Sequence, residues 1–267
     1  MFTLLLRKFG PIELKDLISL SVDKTILYGP NGGGKSSIIR ALIMLLTKNE
    51  SYLYDLLYEV KESRDLLVIL KENADVKLCK NSECISFEQS GMLGDYRVAR
   101  LSGDILRVYG DILDVYDSES LGKMLGRPEF TEKIEEFFRW LECPIYRFYR
   151  RYFKEENTWL EIQFLPYGYK KALMLLYALE NNDVVLVESF EGGLHVDLMR
   201  ELLDYINNAY DDKVIIIETH SGLPVTWGIK NNWSAYYVWR NNIVKLRTPQ
   251  DLSSINLFSR ELEALKI

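Results

Sequence analysis

Eight consecutive residues, Gly29-Pro30-Asn31-Gly32-Gly33-Gly34-Lys35-Ser36, constrain this chain more than any other stretch. They fit G-x-x-x-x-G-K-[ST], a loop that cradles phosphates and works only between a strand and a helix. Both neighbours are present. Thr25-Ile26-Leu27-Tyr28 predicts a short buried strand, and Ile38, Ile39, Leu42, Ile43 and Leu46 recur at helical spacing. Glycines let backbone N–H groups turn inward around an anion, and the helix N-terminus adds partial positive charge. Lys35 would reach the outer phosphates of a nucleotide, and the Ser36 hydroxyl would join a Mg²⁺ shell.

The rest of the chain in order surrounds this unit. Residues 2–9 and 19–28 read as strands separated by the polar stretch Glu13–Asp16, and the helix after the loop ends near Lys48-Asn49. Residues 50–65 are charged and predict a helix. Leu67–Leu70, Val76–Leu78 and Cys84–Phe87, parted by Asn73-Ala74 and Lys80-Asn81-Ser82, predict an antiparallel meander. Gly91–Gly94 predicts a loop, and residues 104–117 stay open between strand and helix. Thr131 is expected to cap a helix with apolar face Ile134, Phe137, Phe138 and Leu141, ended by Pro144.

The second half is more regular. Ala172, Leu175, Leu176 and Leu179 mark a helix, and Leu198, Leu202 and Ile206 another. Val184–Val187 and Val214–Ile217 are apolar without alternation, the pattern of parallel strands covered on both faces. Tyr236–Trp239 and Ile243–Leu246 predict a hairpin, and a closing helix is expected over 249–265.

Composition sets the limits. With 267 residues, 48% hydrophobic and 27% charged, the chain can bury a sizeable core as one large or two small domains. Its 33 basic and 39 acidic residues give a net charge of −6. That argues against a surface coated for nonspecific nucleic-acid binding, though not against a local basic groove. Cys79, Cys84 and Cys143 are an odd set without metal-ligand spacing, so free thiols in a reducing compartment are expected. The apolar start is too short for a secretory leader, and no run approaches a membrane span. The expected location is the cytoplasm.

Two further stretches carry chemistry. The strand Val184–Val187 ends in Glu188-Ser189-Phe190-Glu191, where a Mg²⁺-associated carboxylate belongs downstream of a phosphate loop. The strand Val214–Ile217 leads through Glu218-Thr219 to His220, which should emerge on the same sheet edge and sense a terminal phosphate or polarise water. The other histidine, His195, lies just after the acidic stretch. Ile145–Lys154 interleaves aromatics with four basic residues; it suits either base stacking with phosphate contacts or, more economically, an edge strand with solvated arginines.

Taken together, these residues resemble the ABC-type ATPases of the RecF/SMC/OLD-like branch, which act mostly in DNA maintenance and genome defence. Phe9-Gly10-Pro11-Ile12 with Gly29–Ser37 is similar to that branch's opening strand pair and P-loop. Val185–His195 is similar to its Walker B segment, Thr219-His220-Ser221 to its switch histidine, and Leu165–Lys171 stands where the ABC signature does. The resemblance covers residues 1–48 and 160–240. It implies an α/β fold with a mostly parallel core sheet flanked by helices, and an antiparallel and helical lobe inserted over about 50–155 in a single domain. It also implies ATP and Mg²⁺ as ligands and a head-to-tail homodimer sandwiching nucleotide between P-loop and signature. DNA or a separately encoded nuclease would be the partner.

Residue by residue, the resemblance assigns phosphate contacts to Gly29, Pro30, Asn31, Gly32, Gly33, Gly34, Lys35, Ser36 and Ser37. It assigns Mg²⁺ to Ser36 and Glu188, water positioning to Glu191 or Ser189 with His220, and the opposite subunit's phosphates to Gly168. Gln89 is the glutamine in the interval where one links nucleotide to the inserted lobe. The departures are specific. Glu188 stands for the usual aspartate, Ser189 for the catalytic glutamate, and Pro166 for the signature serine. A serine is no base at neutral pH without help. Proline removes both a hydroxyl and an N–H. ATP binding is therefore expected more firmly than fast hydrolysis; the other readings are a nucleotide-gated dimerising module and a transporter ATPase subunit.

Overall fold

The computed structural model describes residues 1–57, 71, 73–253 and 255. The chain opens with a hairpin, β1 (Phe2–Phe9) and β2 (Ile12–Ser21), turning through Gly10 at positive φ. The polar stretch Glu13–Asp16, expected as a separator, lies inside β2. Ile12 and Leu14 are buried while Glu13 and Lys15 face out, the alternation of a period-two strand, and Asp16 is exposed where that alternation lapses. Next come β3 (Lys24–Tyr28), α1 (Lys35–Leu46) and α2 (Glu50–Leu57). The rest of the helix expected over 50–65 lies outside the described residues.

The meander reduces to one described hairpin, β4 (Asp75–Lys80) and β5 (Glu83–Ile85); its first leg, Leu67–Leu70, lies outside the described residues. β4 pairs with the free side of β1, giving a four-stranded antiparallel sheet in the order β2-β1-β4-β5. Cys79 and Cys84 stand opposite each other across this hairpin and form a disulfide, while Cys143 is a free thiol. The expectation of three free thiols is corrected: a two-residue turn brings the pair into register, which spacing alone did not reveal.

Residues 104–117 resolve as strand. β6 (Val98–Ser102), β7 (Ile105–Val108) and β8 (Asp111–Asp114) form a tight antiparallel run turning at Gly103 and Gly110. Asp117 then caps α3 (Ser118–Leu125), its carboxylate accepting from the Glu119 and Ser120 N–H groups. The following helix, α4 (Pro128–Trp140), starts three residues before Thr131, with Pro128 in its first turn. Thr131 sits inside it, its hydroxyl donating to the Leu125 and Arg127 carbonyls. Of the expected apolar face, Ile134, Phe137 and Phe138 are fully buried, while Leu141 lies just past the helix end and is half-buried. The basic-aromatic stretch forms β9 (Ile145–Tyr149) and β10 (Tyr152–Glu155), completed by β11 (Thr158–Glu161). β9 is the edge of this sheet, with Phe148 and Phe153 inside and Arg147, Tyr149 and Tyr152 exposed.

The remaining elements alternate: α5 (Tyr167–Asn181), β12 (Val184–Glu188), α6 (Val196–Ala209), β13 (Val214–Thr219), α7 (Gly222–Lys230), the hairpin β14 (Ser234–Trp239) and β15 (Asn242–Leu246), and α8 (Pro249–Ser253). Residues 254 and 256–267, which take in the end of the expected closing helix, lie outside the described set. An eight-stranded sheet in the order β15-β14-β3-β13-β12-β6-β7-β8 unites the two halves of the chain. Its five inner strands, β14 to β6, run parallel, and antiparallel strands finish both edges. Within the span 50–155, β4 thus belongs to the four-stranded sheet and β6 to the central one.

Alternation along these parallel strands divides the core. Ile215, Ile217, Val185 and Val187 pack with α3 to α7 on one face, and Ile216, Val184, Leu186 and Val98 pack on the other with α1 and β1, β2 and β4. Thus α1 lies between two sheets, which is why ten of its twelve residues are buried. The fold is a mixed α/β layered structure, as expected.

Candidate functional site

The glycine loop sits where its flanks dictate, between the buried end of β3 and the start of α1. Three glycines are demanded by contact. A Cβ at Gly29 or Gly33 would lie 2.4 or 2.6 Å from the Val238 carbonyl, and one at Gly34 would lie 2.6 Å from Ile12. Gly29, Gly32 and Gly34 also adopt positive φ. Gly34 precedes the helix, and the Ser37 and Ile38 N–H groups close on its carbonyl. Asn31 and Gly32 form the exposed rim, where the Arg240 guanidinium donates to the Gly32 carbonyl at 3.0 Å. No sequence signal marked Arg240, because it reaches the loop from the β14–β15 turn.

Lys35 is 3% exposed, and its ammonium donates to the Gly29 carbonyl at 2.8 Å and the Pro30 carbonyl at 3.1 Å. Burial lowers its pKa from the ordinary lysine value, opposed by the carboxylates of Glu218 and Glu191. Ser36 donates to Glu218 Oε2 at 2.9 Å, and Lys35 Nζ lies 3.7 Å from Glu218 Oε1. Glu218 is 5% exposed, and burial raises its pKa against the pull of Lys35 and Ser36. It was read in the sequence only as the lead-in to His220.

His220 follows on the same strand end, its Nδ1 3.5 Å from Lys35 Nζ. Burial lowers its pKa, reinforced by the Lys35 charge, which favours the uncharged imidazole. Glu191 clamps this corner, Oε2 accepting from the Thr219 hydroxyl at 2.7 Å and Oε1 from the His220 N–H at 3.0 Å. Lys35, Ser36, Glu191 and His220 therefore lie together at this corner.

Glu188 is placed differently. Both its oxygens are taken by Arg100, Nε to Oε1 at 3.1 Å and Nη2 to Oε2 at 2.9 Å, and Ser102 donates a third hydrogen bond at 2.8 Å. The carboxylate that meets Ser36 is Glu218. Position explains this, because β13 lies between the P-loop strand β3 and β12. Glu188 is one strand further away and faces β6, where Arg100 and Ser102 pair in register with Leu186 and Glu188.

Ser189 is exposed at φ +51°, and its carbonyl, with that of Gly192, accepts from Lys171. Lys171 is 3% exposed, and burial brings its pKa down to about 8. This lysine, one turn into α5, holds the Ser189–Gly192 turn by its carbonyls; the sequence marked it only as part of Leu165–Lys171.

Pro166 precedes α5 and its carbonyl takes the Tyr169 and Lys170 N–H groups. Gly168 packs against Leu198 and Gly193 rather than the P-loop; a Cβ there would lie 3.0 Å from Leu198 Cδ2. Together with His195, which caps α6, they border a cavity of about 530 Å³. Gln89 caps a short turn on Ser86.

The chemistry of the corner suits a phosphate and a hard cation. Glycine N–H groups and a lysine match the first, and hydroxyl and carboxylate oxygens match the second. No protein-family model matches the sequence, and no curated protein matches it. Among solved structures the chain is similar to an ATP-binding cassette of an ABC transporter in its ADP conformation, MJ1267, with a TM-score of 0.55 and 15% identity over 97% of this chain and 96% of that one. It is also similar to cbiO1 from Clostridium perfringens, part of the transporter complex cbiONQ, at 0.54 and 12% over 98% and 94%. A bacterial Atm1-family ABC exporter with ATP bound gives 0.54 and 10%, covering all of this chain and 42% of that one. These likenesses establish the ABC ATP-binding cassette fold.

Proposed function

We propose that this chain binds Mg-ATP at its P-loop and hydrolyses it at composite sites formed by two head-to-tail copies. The observation that carries the reading is the convergence of Lys35, Ser36, Glu191 and His220 at neighbouring strand ends around a glycine loop. In such a site Gly32, Gly34 and Lys35 would bind phosphates, and Ser36 with an acidic residue of the adjoining strands would hold Mg²⁺. Neutral His220 and Glu191 would orient water. The bound Mg²⁺ would offset charge on the outer phosphates. Gly168, beside the cavity and Gly193, would contact the partner's nucleotide in such a dimer.

The single-domain division, with 50–155 as an appended lobe, and the RecF/SMC/OLD-like affiliation belong to this proposal. They are supported by the Phe9–Ile12 hairpin turn, the Glu188–His195 run and Thr219-His220-Ser221. On that affiliation the work is DNA maintenance or genome defence in the cytoplasm, with DNA or a nuclease as partner. The exposed Arg147, Tyr149 and Tyr152 on the β9–β11 sheet suit a polyanion. The similar solved structures are cassettes of ABC transporters, which instead favours a transporter subunit, and co-purification with a membrane protein would decide for that.

A second reading is a nucleotide-gated dimer with little turnover. It is favoured by exposed Ser189 in the place of a base and by Glu191, whose two oxygens are already engaged. Mass in solution with and without Mg-ATP, measured beside phosphate release, separates the two. An ATP-induced dimer with steady release supports the first; a dimer without release supports the second; neither response refutes the composite site. In the same assay Lys35→Ala should abolish ATP binding, and unchanged affinity would refute the P-loop assignment.

A further inference from the structure

The resemblance to ABC-type ATPases places the Mg²⁺-linked carboxylate at Glu188, the end of β12. The structure assigns that role to Glu218 instead: we propose that Glu218, with Ser36, holds the cation beside the nucleotide, and that Glu188 is a structural acid locked to Arg100. The inference rests on the nucleotide reading above and concerns which residue serves it.

Three observations carry it. First, Glu218 is the carboxylate in contact with the loop: its Oε2 accepts from the Ser36 hydroxyl at 2.9 Å, and its Oε1 lies 3.7 Å from Lys35 Nζ. Ser36 is the loop position whose hydroxyl serves the cation, so the oxygen beside it is the next donor within reach. Second, Glu188 is already engaged by both oxygens. Arg100 takes both its oxygens in a bidentate pair, Ser102 adds a third bond, and Arg100 is only 1% exposed. A cation that pulled a Glu188 oxygen away from Arg100 would weaken the pairing of a buried guanidinium, which is costly. Third, the two acids stand at different distances from the loop. Glu188 and Glu218 both point to the α1 side of the sheet, as Leu186 and Ile216 do two residues earlier, but β13 borders β3 and β12 does not. Glu218 stands in register with Leu27, two residues before Gly29. A carboxylate there meets the loop from the adjoining strand.

The test compares the unaltered chain with Glu218→Gln and Glu188→Gln. Equilibrium binding of a non-hydrolysable ATP analogue is measured in EDTA and in excess Mg²⁺, and Mn²⁺ binding to the analogue complex is followed by electron paramagnetic resonance. Glu218→Gln should bind the analogue in EDTA at least as well as the unaltered chain, since it removes a negative charge near the phosphates. It should lose about 10- to 100-fold in Mn²⁺ affinity. Glu218→Asp, which keeps the charge at shorter reach, should lose less. Glu188→Gln should keep its Mn²⁺ affinity while unfolding at a lower temperature; if it does not fold, the Arg100→Met/Glu188→Leu pair, which leaves no lone buried charge, replaces it. Loss of Mn²⁺ affinity on changing Glu188 overturns the assignment, as does full retention in Glu218→Gln. An unaltered chain that binds the analogue in neither condition overturns the nucleotide reading itself.

Discussion

Replacing Arg100 by methionine tests the pair that holds Glu188. Methionine fits the volume of the arginine stem but leaves Glu188 8% exposed with one hydrogen bond, from Ser102, in place of three. Breaking a buried pair from one side costs about 3–5 kcal/mol, because a charge remains without its partner. Spread over an unfolding entropy of about 2.1 cal/mol/K per residue, a loss of about 4 kcal/mol in 267 residues lowers the melting temperature by about 7 °C. The double variant Arg100→Met/Glu188→Leu should recover most of this. A residue of about 1–3 kcal/mol should remain, because Arg100 Nη1 also donates to the Leu56 carbonyl at 2.9 Å. Thermal and urea unfolding of wild type, both single variants and the double give the coupling between the two residues. A single Arg100→Met variant within about 1 kcal/mol of wild type, or a double variant no more stable than the single, would show that the pair is solvated and would refute the reasoning.

Other outcomes follow from particular contacts. Gly193→Ala should destabilise by about 1–3 kcal/mol, because Gly193 has φ +72° and its Cβ would meet the Tyr167 ring at 1.8 Å, against a ring also tied to Asp104; urea unfolding reads the change. Lys171 titrates near 8 in the fold against an ordinary 10.5. The native state therefore binds fewer protons than the unfolded chain between these values, and stability rises with pH there. Relative to Lys171→Met, the wild type should gain about 2 kcal/mol from pH 8 to 10, and a flat difference would contradict the burial argument. Ser189→Glu should raise phosphate release if turnover is limited by the missing base, which a coupled assay at saturating Mg-ATP checks.

The P-loop, the parallel strands and the helices around them were legible because their signals are local. A glycine motif, unbroken apolar runs and a helical stripe each report on neighbours within a few residues. The errors have one cause. Polar Glu13–Asp16 reads as a break only if the packing of β2 is unknown; once one face of the β1–β2 sheet lies on the core with α1, polar residues fit the other. Thr131 looks like a cap because capping chemistry is local, yet Pro128, with its φ already suited to a first turn, starts the helix earlier. The Cys79–Cys84 pair depended on a hairpin register that composition does not encode.

The assignment of acids at the site shows the same limit in its sharpest form. Glu188 and Glu218 each follow the apolar run of a parallel strand, so spacing from the P-loop cannot rank them. Two non-local facts separate them. β13 lies beside the P-loop strand, and the β6 strand brings Arg100 across from Glu188. The arginine inside Val98–Ser102 carries no mark in the sequence, yet it is among the most buried side chains of the fold. A buried guanidinium demands a carboxylate, and the nearest acid on its face is thereby withdrawn from other work. The charge inside β6, rather than the acidic run itself, thus leaves Glu218 facing the loop.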